Sequence, residues 1–160
     1  MDSTEQFEKY LDLSYYFLSI RNRSEKEIRD YLVKKNIPEE VLEKVILHLK
    51  EKKFLNDEVF ARAWVLNRIR LKPKGKVLLK IELRQKGVKD EIIQKVLDDL
   101  QEEVPTELEQ AKQIIVKRME RMNGKPRQKI YQKVGGFLSR RGFSWEITKK
   151  AIDEVLEKTL

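Results

Sequence analysis

The sequence predicts an all-α protein of three tandem three-helix repeats that form an elongated, curved solenoid. Three observations predict it. First, the segment Phe137-Leu138-Ser139-Arg140-Arg141-Gly142-Phe143 has two relatives earlier in the chain, Tyr31-Leu32-Val33-Lys34-Lys35-Asn36-Ile37 and Glu82-Leu83-Arg84-Gln85-Lys86-Gly87-Val88. The turn residues Asn36, Gly87 and Gly142 recur at intervals of 51 and 55 residues, and a period of that length marks one structural unit used repeatedly. Second, apolar residues recur at helical spacing in phase with this repeat. Third, helix start signals are dense and no convincing strand pattern appears.

The first repeat, 1–54, is expected to hold helices at 4–20, 24–35 and 38–53. Ser24-Glu25-Lys26-Glu27 is a capping box, in which hydroxyl and carboxylate satisfy each other's backbone donors. Pro38 followed by Glu39 and Glu40 suits a first helical turn. The second repeat, 55–104, holds helices at 56–71, 75–86 and 89–103, opened by Asn56-Asp57-Glu58 and interrupted by a loop at Pro73 and Gly75. The third, 105–160, holds helices at 106–123, 127–141 and 144–158, with a loop at Gly124 and Pro126 and a start at Ser144-Trp145-Glu146. Asn36, Gly87 and Gly142 stand where a left-handed C-terminal cap belongs. Core positions follow the repeat: Ile28, Leu79 and Val134; Leu32, Leu83 and Leu138; Val41, Ile92 and Ile147; Val45, Val96 and Ala151; Ile46, Leu97 and Ile152; Leu49, Leu100 and Val155. The same alignment sets His48 opposite Asp99 and Glu154, so His48 is expected in solvent. Phe60 and Trp64, four apart, read as core. Gly135-Gly136 inside a helix costs about 1 kcal/mol per glycine, which suggests either close helix packing or a bend.

Composition narrows the function. The 160 residues contain no cysteine and one histidine, which excludes disulfides, thiolate chemistry and cysteine metal sites. No apolar run approaches the roughly 20 residues that span a bilayer, and the acidic N-terminus has no basic-then-apolar leader. A cytoplasmic protein without a membrane partner is expected. No glycine-rich phosphate loop occurs. Adjacent carboxylates such as Asp98 and Asp99 point about 100° apart on a helix and do not converge. The chain therefore reads as no enzyme, with no cofactor and no metal.

Charge distribution points to a polyanion. The net charge is +8. Arg62 to Lys89 holds ten basic residues against one acid, and Lys112 to Gly142 again ten against one. Between them, Asp90 to Glu109 holds eight acids against one lysine. Basic residues gather at the first loop and along the middle helix of each repeat. Arg21 and Arg23 represent the first repeat; Arg70, Lys72, Lys74, Lys76, Arg84 and Lys86 the second; Lys125, Arg127, Lys129, Arg140 and Arg141 the third. A charge feature in phase with the core forms a candidate basic stripe, suited to phosphate contact without sequence readout. Arg21 and Arg23 precede the Ser24 cap and read as poorly placed for core burial.

Four motifs carry a family resemblance. Leu18-Ser19-Ile20-Arg21-Asn22-Arg23-Ser24-Glu25-Lys26-Glu27-Ile28 resembles the first motif of the bacterial recombination regulator RecX. Leu55-Asn56-Asp57-Glu58-Val59-Phe60-Ala61-Arg62-Ala63-Trp64 resembles its second. Lys74-Gly75, Glu82-Leu83 and Lys86-Gly87-Val88 resemble its third, and Phe137-Leu138 with Arg140-Arg141-Gly142-Phe143 its fourth. Asn56 stands where many members have aspartate, and Asn36 replaces the usual glycine. The resemblance implies binding to the RecA recombinase filament on DNA, in its helical groove, and inhibition of its ATPase and strand exchange; a monomer is expected. Two other functions fit the charge pattern: a direct, non-sequence-specific binder of single- or double-stranded DNA, and a helical adaptor that binds protein alone.

The solenoid expectation is checked by small-angle scattering. A compact globule of this length has a radius of gyration of about 15 Å; the expected value is clearly larger, and a compact value removes the extended repeat.

Overall fold

The fold is known from a computed structural model, which describes residues 2–159. The outermost ends of the first and third repeats, residues 1 and 160, lie outside the described residues. Nine α-helices and no strand occur among the described residues: α1 Ser3–Ile20, α2 Glu25–Lys34, α3 Glu39–Glu51, α4 Asp57–Leu71, α5 Lys76–Gln85, α6 Asp90–Asp99, α7 Glu107–Met119, α8 Arg127–Arg140 and α9 Trp145–Thr159. All nine expected helices are present. α6 and α7 stop about four residues early because their ends tighten into i→i+3 turns. Gln101 N bonds Asp98 O at 3.2 Å, and Arg121 N bonds Arg118 O at 3.0 Å.

Local chemistry sets the helix ends. Ser24 and Glu27 make the expected capping box at α2, and the Asn56 side chain accepts from Glu58 N at 2.9 Å to open α4. Asn36, Gly87 and Gly142 all adopt left-handed backbone, at φ 63°, 80° and 87°. Lys53 does so at φ 62°, a turn that its lysine gave no means of foreseeing. α8 runs unbroken through Gly135. The bend is absent, and a Cβ there would stand 3.4 Å from the Trp145 ring, an ordinary contact, so the packing leaves room for a small side chain.

The chain divides into two compact units. Unit 1 comprises residues 1–64 and 83–96, and unit 2 residues 65–82 and 97–160. Each of α4, α5 and α6 therefore gives one end to each unit. Unit 1 centres on Tyr10, Ile28, Leu32, Val45, Ile46 and Leu49. Its α1 is tied to the turn after α2, where the Tyr10 hydroxyl donates to the carbonyls of Lys35 and Asn36 at 3.3 Å each. Unit 2 centres on Ile115, Ile130, Val134, Leu138 and Ile152, with α7 and α8 both laid against α9. The repeat-phased core positions are buried, except that Ile92 and Ile147 are half-buried where Val41 is fully covered.

One joint occurs in each unit. In unit 1, the Ser24 hydroxyl donates to Lys86 O at 2.7 Å, and Asp57 accepts from Glu25 N at 2.8 Å. In unit 2, Gly75 N donates to Arg141 O at 2.7 Å, and Glu107 accepts from Lys76 N at 2.9 Å. In both, the left-handed glycine that ends one middle helix lies against the start of the preceding repeat's middle helix. A carboxylate from the first helix of the following repeat occupies the same helix start, where orphan N–H groups and the dipole favour an anion.

Glycine is required there by two effects at once. A Cβ on Gly142 would lie 2.2 Å from Leu78 Cβ and 2.6 Å from Leu78 N, and the backbone is left-handed besides. Gly142→Ala is expected to lower the unfolding free energy by about 3 kcal/mol or more, from strain and overpacking together. Gly124, at φ 82° with open space around it, isolates the backbone effect; Gly124→Ala is expected to cost about 1 kcal/mol. Urea unfolding of both variants checks this, and equal losses contradict the packed joint.

Candidate binding surface

The expected stripe residues fall into two groups that differ in how their charge is used. In unit 1 all four are paired. Arg21 bonds Glu27, and Arg23 and Lys86 lie 3.8 and 3.6 Å from the same carboxylate. Arg84 pairs with Asp90 at 2.7 Å. Arg23 also corrects the expectation of a solvent-facing arginine. Its side chain is 11% exposed, donates to Phe17 O at 3.3 Å, and lies 3.7 Å above the Phe17 ring, which itself stacks on Tyr31 at 4.1 Å. Burial and the Arg21 charge push its pKa down, with Glu27 opposing. Lys86 sits over the Trp64 ring at 5.4 Å.

Unit 2 holds the other nine. Lys74 pairs with the nearly covered Glu82 at 3.1 Å, and Arg127 with Asp153 at 3.3 Å. Among the described residues no carboxylate pairs with Arg70, Lys72, Lys76, Lys125, Lys129, Arg140 or Arg141. Lys125 lies beside Lys133 and Lys129 on one side of α8. The contact with Lys133 and the charges of both neighbours push the Lys125 ammonium below its ordinary range. Like charges gathered without an acid make a surface that an incoming anion relieves.

Arg141 combines two roles. Its carbonyl accepts in the joint, while its guanidinium donates to Pro73 O at 3.4 Å and lies 4.8 Å from the Phe137 ring centroid. The Arg118 guanidinium stacks on the same ring at 3.3 Å. Arg118 and Lys117 were outside the stripe read from the sequence; only their place in the second basic window marked them. His48 is likewise corrected. α1 covers it, so it is half-buried, edge-on to Phe7 at 5.5 Å and 3.4 Å from the Tyr15 hydroxyl. Phe60 is buried and Trp64 half-buried, as expected of core residues. No cluster of three or more His, Asp or Glu able to hold a metal occurs among the described residues.

The Glu27 node has a pH signature. Burial pushes this carboxyl up, but hydrogen bonds from Arg21 and the Ser24 backbone, with the Arg21 and Lys86 charges, outweigh it and hold its pKa below the ordinary value. A carboxyl held down in the fold stabilises above its unfolded pKa, and that contribution is lost as pH falls through the folded value. Asp57 acts oppositely: burial raises its pKa, against the bond from Glu25 N. Stability is expected to fall between about pH 5 and pH 3, and less steeply in Glu27→Gln, as urea midpoints across that range check. An unchanged slope removes Glu27 from the stabilising network.

Comparison with known proteins follows the repeat order. Family models match the first RecX three-helix domain at residues 11–49, the second at 56–97 and the third at 106–152. The regulatory protein RecX of Mycolicibacterium smegmatis is 36% identical over 131 residues, covering 79% of this chain and 69% of the relative. That of Bacillus pumilus is 38% identical over 145 residues, covering 88% and 53%. The chain thus spans about half the length of several relatives it matches. A crystal structure of RecX from Lactobacillus salivarius shares the fold at TM-score 0.85, with 24% identity and coverage of 95% and 97%. Another, of a regulatory protein RecX, gives TM-score 0.79 at 28% identity, covering 94% of this chain and 73% of that one. Matched domain by domain along its repeats, the chain belongs to the RecX family.

Proposed function

We propose that this chain is a cytoplasmic, monomeric, non-enzymatic regulator that binds the RecA recombinase filament on DNA, in its helical groove, and restrains ATP hydrolysis and strand exchange. The chain is divided into three repeats, 1–54, 55–104 and 105–160, of which the second and third supply the unpaired cations. Membership of a family whose relatives are called regulatory proteins supports this. No helix among the described residues is long and apolar enough to cross a membrane.

The observation that carries the reading is the uncompensated charge in unit 2. A cation already paired within the chain gives up little field to a partner, and an exposed pair adds only about 0–1 kcal/mol to stability. Arg70, Lys72, Lys76, Lys125, Lys129 and Arg140 carry no such partner and are free to meet phosphate or acidic protein. Direct, non-sequence-specific DNA binding is the second reading, favoured by the crowding of Lys125, Lys129 and Lys133.

Arg70→Glu, Lys125→Glu and Lys129→Glu leave both joints alone. The triple variant is expected to lose most inhibition of the ATPase of a DNA-bound RecA filament while keeping wild-type helix content. If these residues touch phosphate, the log–log salt slope of binding falls by about 0.7–0.9 for each phosphate no longer neutralised. Full inhibition with abolished naked-DNA binding assigns the contact to protein, and no change in either assay removes the basic surface from function.

A further inference from the structure

Unit 2 carries a groove that the basic stripe does not explain. It lies between the end of α4, the Pro73 loop, α7 and α8, with a volume of about 240 Å³. Its floor is apolar: Leu71, Ile114 and Phe137. Leu71 is 76% exposed, and an apolar side chain left open beside two others is where a partner gains most by burial. The rim is cationic, formed by Lys72, Lys117, Arg118 and Arg141, and no acid lines the groove. None of these four cations has a carboxylate partner among the described residues. Two are held in place, Arg118 by its stack on Phe137 and Arg141 by that ring and Pro73 O. Guanidiniums fixed in this way lose little freedom when they bind a carboxylate.

We propose that this groove docks an acidic peptide segment of a partner protein through one aliphatic side chain flanked by carboxylates. Charge complementarity requires the acids, and the uncapped Leu71–Ile114 floor requires the apolar anchor. The volume is below the roughly 300–1,000 Å³ of pockets that enclose whole small molecules, and suits one or two side chains. A nucleic-acid strand fits less well. Base stacking needs an open aromatic face, whereas the groove's one aromatic ring already carries Arg118 at 3.3 Å. The inference stands on this chain alone and does not rest on the filament reading.

The test is fluorescence anisotropy of a short labelled peptide of aspartate and glutamate around a central leucine, with the full chain. Lys72→Glu with Lys117→Glu is expected to weaken binding about tenfold or more, a loss of about 1.4 kcal/mol or more. Leu71→Ser, or serine in place of the peptide's leucine, is expected to weaken it several-fold. A Lys44→Glu variant, at an exposed position of α3 outside the groove, is expected to bind as the parent does. Equal binding of the leucine-free peptide reduces the interaction to unspecific charge attraction and overturns the proposal. Competitive displacement by oligo-dT that needs the same lysines assigns the groove to nucleic acid and overturns it as well. So does concentration-dependent dimerisation abolished by Lys72→Glu, which assigns the groove to a second copy. Failure here with intact filament inhibition leaves the proposed function standing, and the reverse outcome leaves the groove.

Discussion

Close approach of backbone to backbone at the repeat joint is the constraint on which the rest depends. A left-handed glycine ends one middle helix, and its neighbouring carbonyl accepts from the residue that begins the preceding middle helix. At Gly142 the space for a Cβ is already filled by Leu78, and at Gly87 by Lys26. The joint supplies what a fifty-residue repeat lacks on its own, since so short a unit buries too little apolar surface to be stable. It also explains the partition of the chain. Residues 83–96 of the second repeat join the first repeat in unit 1, while residues 65–82 join the third in unit 2. Compactness follows the joints, and the repeat follows the sequence.

The joints also decide which charges are available. Ser24, Glu25 and Glu27 form the start of α2, and holding that start against Lys86 and Asp57 draws Arg21, Arg23 and Lys86 around one half-buried carboxylate. These cations become part of the frame. The equivalent start in unit 2 uses a glycine and a backbone N–H at Gly75 in place of the Ser24 hydroxyl, and a single carboxylate from Glu107. Fewer acids are needed there, and more cations are left over. The asymmetry in charge thus follows from a difference in how two versions of one joint are made.

Aromatic residues make a parallel contribution. In unit 1, Phe17 and Tyr31 stack and receive Arg23, which covers a guanidinium that sequence position alone would leave in water. In unit 2, Phe137 receives Arg118 and Arg141 but lies beside an exposed Leu71. The same residue pairing therefore finishes a surface in one unit and leaves a half-finished one in the other.

The sequence by itself determined the helices, their caps and the phased core. Each depends on residues close along the chain: the Ser24–Glu27 box, the glycines at Gly87 and Gly142, and the i, i+4 rows that place Leu32, Leu83 and Leu138 inside. It also determined the family, because four motifs in order are a linear property. Long-range packing added what neighbours along the chain do not show: Arg21, Arg23 and Arg84 pair with acids four to six residues away, but Lys86 is spent on a carboxylate from another repeat. Lys86 and Arg70 look alike in sequence, and only the Glu27 carboxylate and the Trp64 ring, brought against Lys86 from elsewhere in the chain, distinguish them. The same holds for His48, placed in solvent by analogy with Asp99 and Glu154 until α1 covers it with Phe7 and Tyr15. It holds again for the groove of Leu71, Ile114 and Phe137, whose members lie more than twenty residues apart. Periodicity reports which face of a helix is buried; what is brought against the other face is a long-range event that no local pattern encodes.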